Sequence, residues 1–231
     1  MKHTFGLVEP GKRAADRVMR PPLWRLLLIF QKKAAGLAYF VHPGTYPVLT
    51  MSEGECPVGK ISKKMLAAFV IATLVGACMH FVYAMLPNPV TALVSPINES
   101  LWEHLKILFW PYLVASLLLT RGGEKGCRAP WLLSLLVQSA AMLAGGYLYH
   151  IVLTGDALAV DVGLYVLCMA AGFVLPGLFH SVADKPGLRD AVTLAVIALA
   201  AMLVLFTFLP PDHILFADLS GVNTWTTIPY C

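Results

Sequence analysis

The sequence contains few charged residues. Aspartate, glutamate, lysine and arginine make up 13% of its 231 residues, whereas hydrophobic residues make up 58%, and the mean hydropathy is +0.72. An ordinary soluble domain has about a quarter charged residues. A soluble fold of this length could not bury so much apolar surface, so the composition predicts a single membrane domain. We therefore expect the lipid bilayer as its main partner and the cell membrane as its location.

Common catalytic and nucleotide-binding motifs are also missing. The sequence has no H-E-x-x-H, G-x-S-x-G, P-loop or G-x-G-x-x-G pattern, and its five cysteines show no C-x-x-C spacing. These absences exclude the sequence signatures of zincin proteases, dinucleotide-binding folds and zinc knuckles. Any function must therefore be inferred from residues that no short motif identifies.

Long apolar segments dominate the sequence after residue 60. A helix needs about 20 apolar residues to cross a bilayer, and five segments have that length, separated by prolines and polar turns. We predict an all-α integral membrane bundle over residues 61–231, preceded by a poorly ordered, basic cytoplasmic extension over residues 1–60. The five predicted transmembrane helices lie at about residues 65–86, 97–120, 131–153, 159–180 and 190–209.

Lysine and arginine lie almost entirely on one side of this topology. Sixteen of the 17 fall before the first predicted span or in the turns at 121–128 and 184–189. Because cytoplasmic loops of membrane proteins are enriched in these residues, the chain is predicted to have its N-terminus inside and its C-terminus outside. The net charge of +4 then reflects orientation in the membrane, and we expect no nucleic acid partner.

A dense group of polar residues opens the second predicted helix. The stretch S-P-I-N-E-S-L-W-E-H-L-K-I-L-F-W-P, residues 95–111, contains Asn98, Glu99, Glu103, His104 and Lys106. Ser95 and Pro96 have the pattern of an N-cap and a first helical residue, which would place Glu99 and Glu103 on one helical face. Two carboxylates at that spacing repel each other, so we expect a proton, a cation or Lys106 between them.

Two further histidines and one carboxylate are predicted at the same outer level. They are His80, His150 and Asp161. Imidazole and carboxylate ligands suit zinc, with a fourth position left open when the site is catalytic. The candidate metal ligands are Glu99, Glu103, His104, His80, His150 and Asp161. The catalytic candidates among them are Glu99, Glu103 and His104, and Asn98 and Lys106 are neighbouring polar residues.

The same stretch resembles the hallmark of a family of small bacterial multi-pass membrane proteins. The consensus of that family is F-x-P-x-N-E-S-x-W-E-H-x-K, and the similarity covers about residues 62–220, including the segment L-F-A-D at 215–218. The family is classed only as a domain of unknown function. The resemblance therefore implies a multi-pass membrane protein and no established activity.

Three functions are compatible with these residues. The first is a metal- or cation-binding site at the outer membrane face, as in a membrane-embedded metal-dependent hydrolase of lipids or lipid-linked molecules. The second is a transporter of a small solute or ion, since Pro111 and Pro176 interrupt predicted helices. The third is a structural or partner-binding protein. Acidic residues in the first turn of a helix stabilise it by interacting with the helix dipole or by completing a capping box, which requires no further function.

Overall fold

The computed structural model describes residues 62–123 and 126–220. The predicted extension at 1–60 lies outside them. The described part of the chain is all-α, with no strand, and a π-helix at Tyr147–Val152 continues its fifth α-helix. The α-helices are α1 (Lys63–Met79), α2 (Val82–Met85), α3 (Pro89–Val94), α4 (Leu101–Leu119), α5 (Arg128–Gly146), α6 (Leu158–Val174) and α7 (Pro186–Phe208).

Helix α4 lies at the centre of the bundle. The side chains of Leu105, Leu108, Phe109 and Tyr112 are completely buried, because α1, α5, α6 and α7 all pack against this helix. Tyr112 also donates a hydrogen bond of 2.5 Å to the Gly172 carbonyl oxygen of α6. The polar stretch that opens α4 is therefore held by the most deeply buried helix of the described chain.

The close approach of α1 to α4 depends on Gly76. A Cβ atom at this position would lie 2.2 Å from the Ile107 carbonyl oxygen and 2.2 Å from the Tyr165 hydroxyl group. Pro111, inside α4, has no amide proton to bond the Ile107 carbonyl four residues before it. Tyr165 of α6 donates to the Thr73 carbonyl (2.9 Å). Helices α1, α4 and α6 therefore meet at Gly76, where the lack of a side chain lets them approach closely.

Three helical segments in the described residues are long and apolar enough to cross a membrane. They are Arg128–Val152, Leu158–Gly177 and Pro186–Phe208. On the outer faces of the bundle, Ile71, Leu167 and Leu194 are 62%, 67% and 68% exposed. Exposed apolar surface of this kind is unusual for a soluble monomer and is typical of a surface that another apolar phase covers. Membrane crossing by α1 and α4 stays a prediction.

The first predicted span, 65–86, is interrupted. Helix α1 ends at Met79, and α2 follows after a break at His80 and Phe81. The Ser95 hydroxyl group occupies the break, where it donates to the Met79 carbonyl (2.5 Å) and accepts from the Tyr83 amide (3.1 Å). His80 therefore lies at the end of α1 instead of in the interior of a longer helix.

Helix α4 begins later than the predicted start at residue 97. Its N-cap is Ser100, whose hydroxyl oxygen accepts a hydrogen bond from the Glu103 amide (3.3 Å). The predicted cap, Ser95, is bonded instead to the end of α1. Glu99 consequently precedes the helix, and the prediction that Glu99 and Glu103 share one helical face is wrong.

Candidate metal centre

His80, Glu99 and His104 converge at one end of the bundle. The Glu99 carboxylate lies between the two imidazoles, with Oε1 3.6 Å from His80 Nε2 and Oε2 3.2 Å from His104 Nε2. One ligand atom from each residue lies within 4.8 Å of the other two. Because a tetrahedral zinc ion holds its ligand atoms about 3.3 Å apart, small side-chain movements would close this group around a cation.

The backbone fixes the orientation of His104. Its Nδ1 atom lies 2.9 Å from the Ser100 carbonyl oxygen, which can only accept a hydrogen bond. In the neutral ring Nδ1 therefore carries the proton, and the lone pair of Nε2 faces the Glu99 carboxylate. The Nε2 lone pair and the carboxylate are both acceptors, so a proton or a cation must lie between them. Metal-binding histidines typically donate their other ring nitrogen to a carbonyl or carboxylate in this way.

His80 is held mainly by packing. Its ring lies 5.1 Å from the His104 ring and 5.1 Å from the Phe81 ring, measured between centroids. Its Nδ1 atom is buried and has no hydrogen-bond partner in the part of the chain that the structure covers. Since Nε2 is the nitrogen close to Glu99, His80 and His104 present the same ring nitrogen to the carboxylate.

Glu99 is the most accessible member of the group. Its side chain is 49% exposed, compared with 27% for His80 and 25% for His104. Glu99 precedes α4, and the hydrogen bond with His104 lowers the pKa of its carboxyl group below the ordinary value, although burial acts in the opposite direction. The group therefore combines an ionised carboxylate with one face that a ligand can reach.

Glu103 and Lys106 form a separate, buried ion pair. Lys106 Nζ lies 2.6 Å from Glu103 Oε2, and the side chains are 0% and 3% exposed, respectively. Lys106 also donates to the Ala92 carbonyl (2.8 Å), while Glu103 Oε2 accepts from the Ile97 amide (3.0 Å). The Thr207 hydroxyl group of α7 lies 3.5 Å from Glu103 Oε1. The predicted ligand Glu103 thus bonds to Lys106 and the backbone, and it is not a member of the group formed by His80, Glu99 and His104.

His150 and Asp161 form another polar pair. His150 Nε2 lies 2.8 Å from Asp161 Oδ1, and His150 Nδ1 lies 2.9 Å from the Gly155 carbonyl oxygen. His150 belongs to the π-helix. This conformation is rare in proteins, but where it occurs it is often at a functional site. Both residues were predicted metal ligands, but the structure pairs them with each other and does not place them with Glu99.

Asn98 shapes the turn before α4. Its Oδ1 atom accepts a hydrogen bond from the Ser100 amide (3.1 Å), so Asn98 takes the role that the Glu103 side chain would have in a capping box. Its Nδ2 atom is buried without a partner among residues 62–123 and 126–220. The contribution of Ser95, which bridges the break beside His80, was not predicted, because in the sequence it has only the pattern of a helix start.

The fold and its polar end define an all-α protein with helices that could cross a membrane. The chain belongs to a family of unknown function, DUF6512, whose sequence profile matches residues 56–223. This match confirms the predicted membership of a family without a known function. No curated protein and no solved structure matches the chain, so its site is interpreted from its own geometry.

Proposed function

We propose that this protein is a membrane protein with five membrane-spanning helices that binds a divalent metal ion, such as zinc, through His80, Glu99 and His104. The convergence of their three ligand atoms within 4.8 Å carries the proposal. Two imidazoles and one carboxylate form a ligand set that zinc readily accepts. The hydrogen bond of His104 Nδ1 with a backbone carbonyl supports it further, because it leaves Nε2 free for a cation.

The proposed topology has the N-terminus inside, the C-terminus outside and the metal site at the outer face. The cationic turns lie at the other end of the bundle, where Gly126 approaches the Ala183 carbonyl and the Arg189 side chain, with a Cβ at Gly126 falling 2.7 Å and 3.3 Å from them. The positive-inside tendency assigns that end to the cytoplasm. Helices α1 and α4 are the two proposed spans beyond the three apolar segments.

Metal-dependent hydrolysis is the reaction class that this site favours. Three protein ligands leave one tetrahedral position open, which is the composition of catalytic zinc sites. The exposed side of Glu99 gives a substrate access to that position. A bound cation would supply Lewis-acid activation of water or of the substrate. Because the site lies at the helix ends, a lipid or a lipid-linked molecule at the membrane surface is the proposed substrate.

Transport of a small solute or ion is the second candidate. His104 and His150 each lie between a backbone carbonyl and a carboxylate. Since both neighbours are hydrogen-bond acceptors, the two histidines offer polar positions that a transported ion could use. Proton-coupled transport predicts that the parent protein, reconstituted in vesicles, carries a solute or ion across the membrane and that Glu99→Gln abolishes this flux. A hydrolase predicts no flux in the parent protein.

The test of metal binding is the zinc content of purified, detergent-solubilised protein after equilibration with zinc and desalting. We expect about one zinc ion per parent chain and its loss from Glu99→Ala and from His104→Ala, because each variant removes a ligand. The matched control is His150→Ala. It removes a histidine outside the group and should retain the metal.

Thermal unfolding of each variant separates a lost ligand from a lost fold. The proposed metal centre would be overturned if the parent protein bound no zinc. It would also be overturned if Glu99→Ala and His104→Ala held as much zinc as the parent. Zinc lost from His150→Ala as strongly as from His104→Ala, with the fold intact, would show that the centre is not the group around Glu99.

A further inference from the structure

The segment that carries Glu99 is fastened on both sides of this residue. Before it, the Ser95 hydroxyl group bonds to the end of α1, and the Ile97 amide donates to Glu103 Oε2 (3.0 Å). After it, Ser100 caps α4. Lys106 also bonds α3 to α4 through the Ala92 carbonyl (2.8 Å). The path of the chain through Glu99 is therefore held by hydrogen bonds to α1 and to α4, and the side chains of Glu103 and Lys106 supply two of them.

The Glu103–Lys106 pair is not explained by stability. Both side chains are almost completely buried. Removing two charges from water costs more than their attraction commonly returns, and apolar residues of similar volume often stabilise a protein equally well. What an apolar pair could not supply is an acceptor for the Ile97 amide or a donor for the Ala92 carbonyl. The first of these bonds holds the backbone two residues before Glu99, and the second holds α3 against α4.

We propose that Glu103 and Lys106 are positioning residues for the metal centre, which hold the segment that bears Glu99 against the helix that bears His104. The inference rests on the proposed metal binding. Glu103 is adjacent to His104 in α4, and it bonds the backbone two residues before Glu99. One carboxylate thus connects two ligand-bearing segments while contributing no ligand itself.

The test uses the double variant Glu103→Leu/Lys106→Met in the full-length protein. It removes both charges together, because either single change would leave an unpaired buried charge and could prevent folding. The affinity for Zn²⁺ is measured by competition with a chelator, and the site geometry by the visible spectrum of the Co²⁺-loaded protein. Residues that orient metal ligands alter metal affinity by about 10–100-fold, and we expect a loss in that range.

The metal-free double variant should still unfold in one cooperative transition, so that weaker binding reports altered positioning instead of a lost fold. The matched control, Ser134→Ala/Gln138→Met, changes two buried polar residues of α5 away from this segment and should keep the parental affinity. Equal affinities and Co²⁺ spectra for the parent and the double variant would overturn the positioning role alone. A parent without Zn²⁺ affinity would overturn the metal centre as well.

Discussion

Gln138 is a buried polar residue at the contact between α5 and α6. Its side chain on α5 is 1% exposed, and neither Oε1 nor Nε2 has a hydrogen-bond partner in the described residues. The amide packs on Gly172, where a Cβ atom would lie 2.1 Å from Oε1. Because a buried polar group without a hydrogen bond costs about 1–3 kcal/mol, this residue lowers the stability of the bundle centre.

We expect Gln138→Met to stabilise the protein, because methionine has a similar length and no group that requires a hydrogen bond. The unfolding free energy should rise by about 1 kcal/mol, and the thermal midpoint by about 2–4 °C. The measurement is thermal unfolding in detergent. The control is Ser134→Ala, since the Ser134 hydroxyl group already donates to the Pro130 carbonyl (2.9 Å) and its removal should give no gain. A lower midpoint for Gln138→Met would contradict the prediction.

The sequence identifies candidate ligands better than it identifies their grouping. His80, Glu99 and His104 were all among the predicted ligands, because imidazoles and carboxylates are rare in apolar segments. Their convergence depends on a break after Met79 and on a late helix start, and Ser95 makes the hydrogen bonds that stabilise the break from another part of the chain. No local pattern indicates such bonds. For this reason Glu103 looked equivalent to Glu99.

At the scale of the helices, Gly76 sets the contact between α1 and α4. Gly76→Ala would place a methyl group 2.2 Å from a backbone oxygen of α4, which cannot move without shifting the helix. Overpacking of this kind costs about 1–3 kcal/mol. We expect a lower thermal midpoint and, because His80 follows one turn later in the chain, weaker zinc binding. Thermal unfolding and zinc titration of the same preparation measure both effects.

The control for Gly76→Ala is Gly163→Ala. A Cβ atom at Gly163 of α6 would meet nothing within 4 Å, and alanine favours a helix over glycine by about 0.5–1 kcal/mol. This variant should therefore be neutral or slightly stabilised and bind zinc like the parent. If Gly76→Ala behaved in the same way, the contact between the two helices would be looser than the structure indicates.

The positions of the helices follow from the apolar segments, whereas their irregularities do not. The predicted third helix, 131–153, continues to Val152, but its last six residues form the π-helix that carries His150. Neither proline nor glycine lies between Tyr147 and Val152 to signal the change. The hydrogen bonds of His150 with Gly155 and Asp161 join residues after the helix to it, which periodicity along one segment cannot reveal.

For the whole molecule, the proposed topology places the turn at Asp156 outside and the turn at Lys185 inside. Both residues are exposed. We expect a membrane-impermeant maleimide to label Asp156→Cys in intact cells and Lys185→Cys only after permeabilisation, because cationic turns are retained in the cytoplasm. The parent chain, labelled in parallel, gives the background from its native cysteines. The reverse pattern would place the proposed metal site on the cytoplasmic face.

The three ligands of the proposed centre all lie between the end of α1 and the first turns of α4, ahead of the three apolar helices in the chain. A nascent chain emerges from the ribosome N-terminus first, and contacts between residues close in sequence form fastest. The region that contains the three ligands can therefore fold during synthesis, before α5 is complete. Under the proposed function, a cation bound at that stage would stabilise the packing of α1 against α4. The later helices would then pack against this preformed pair.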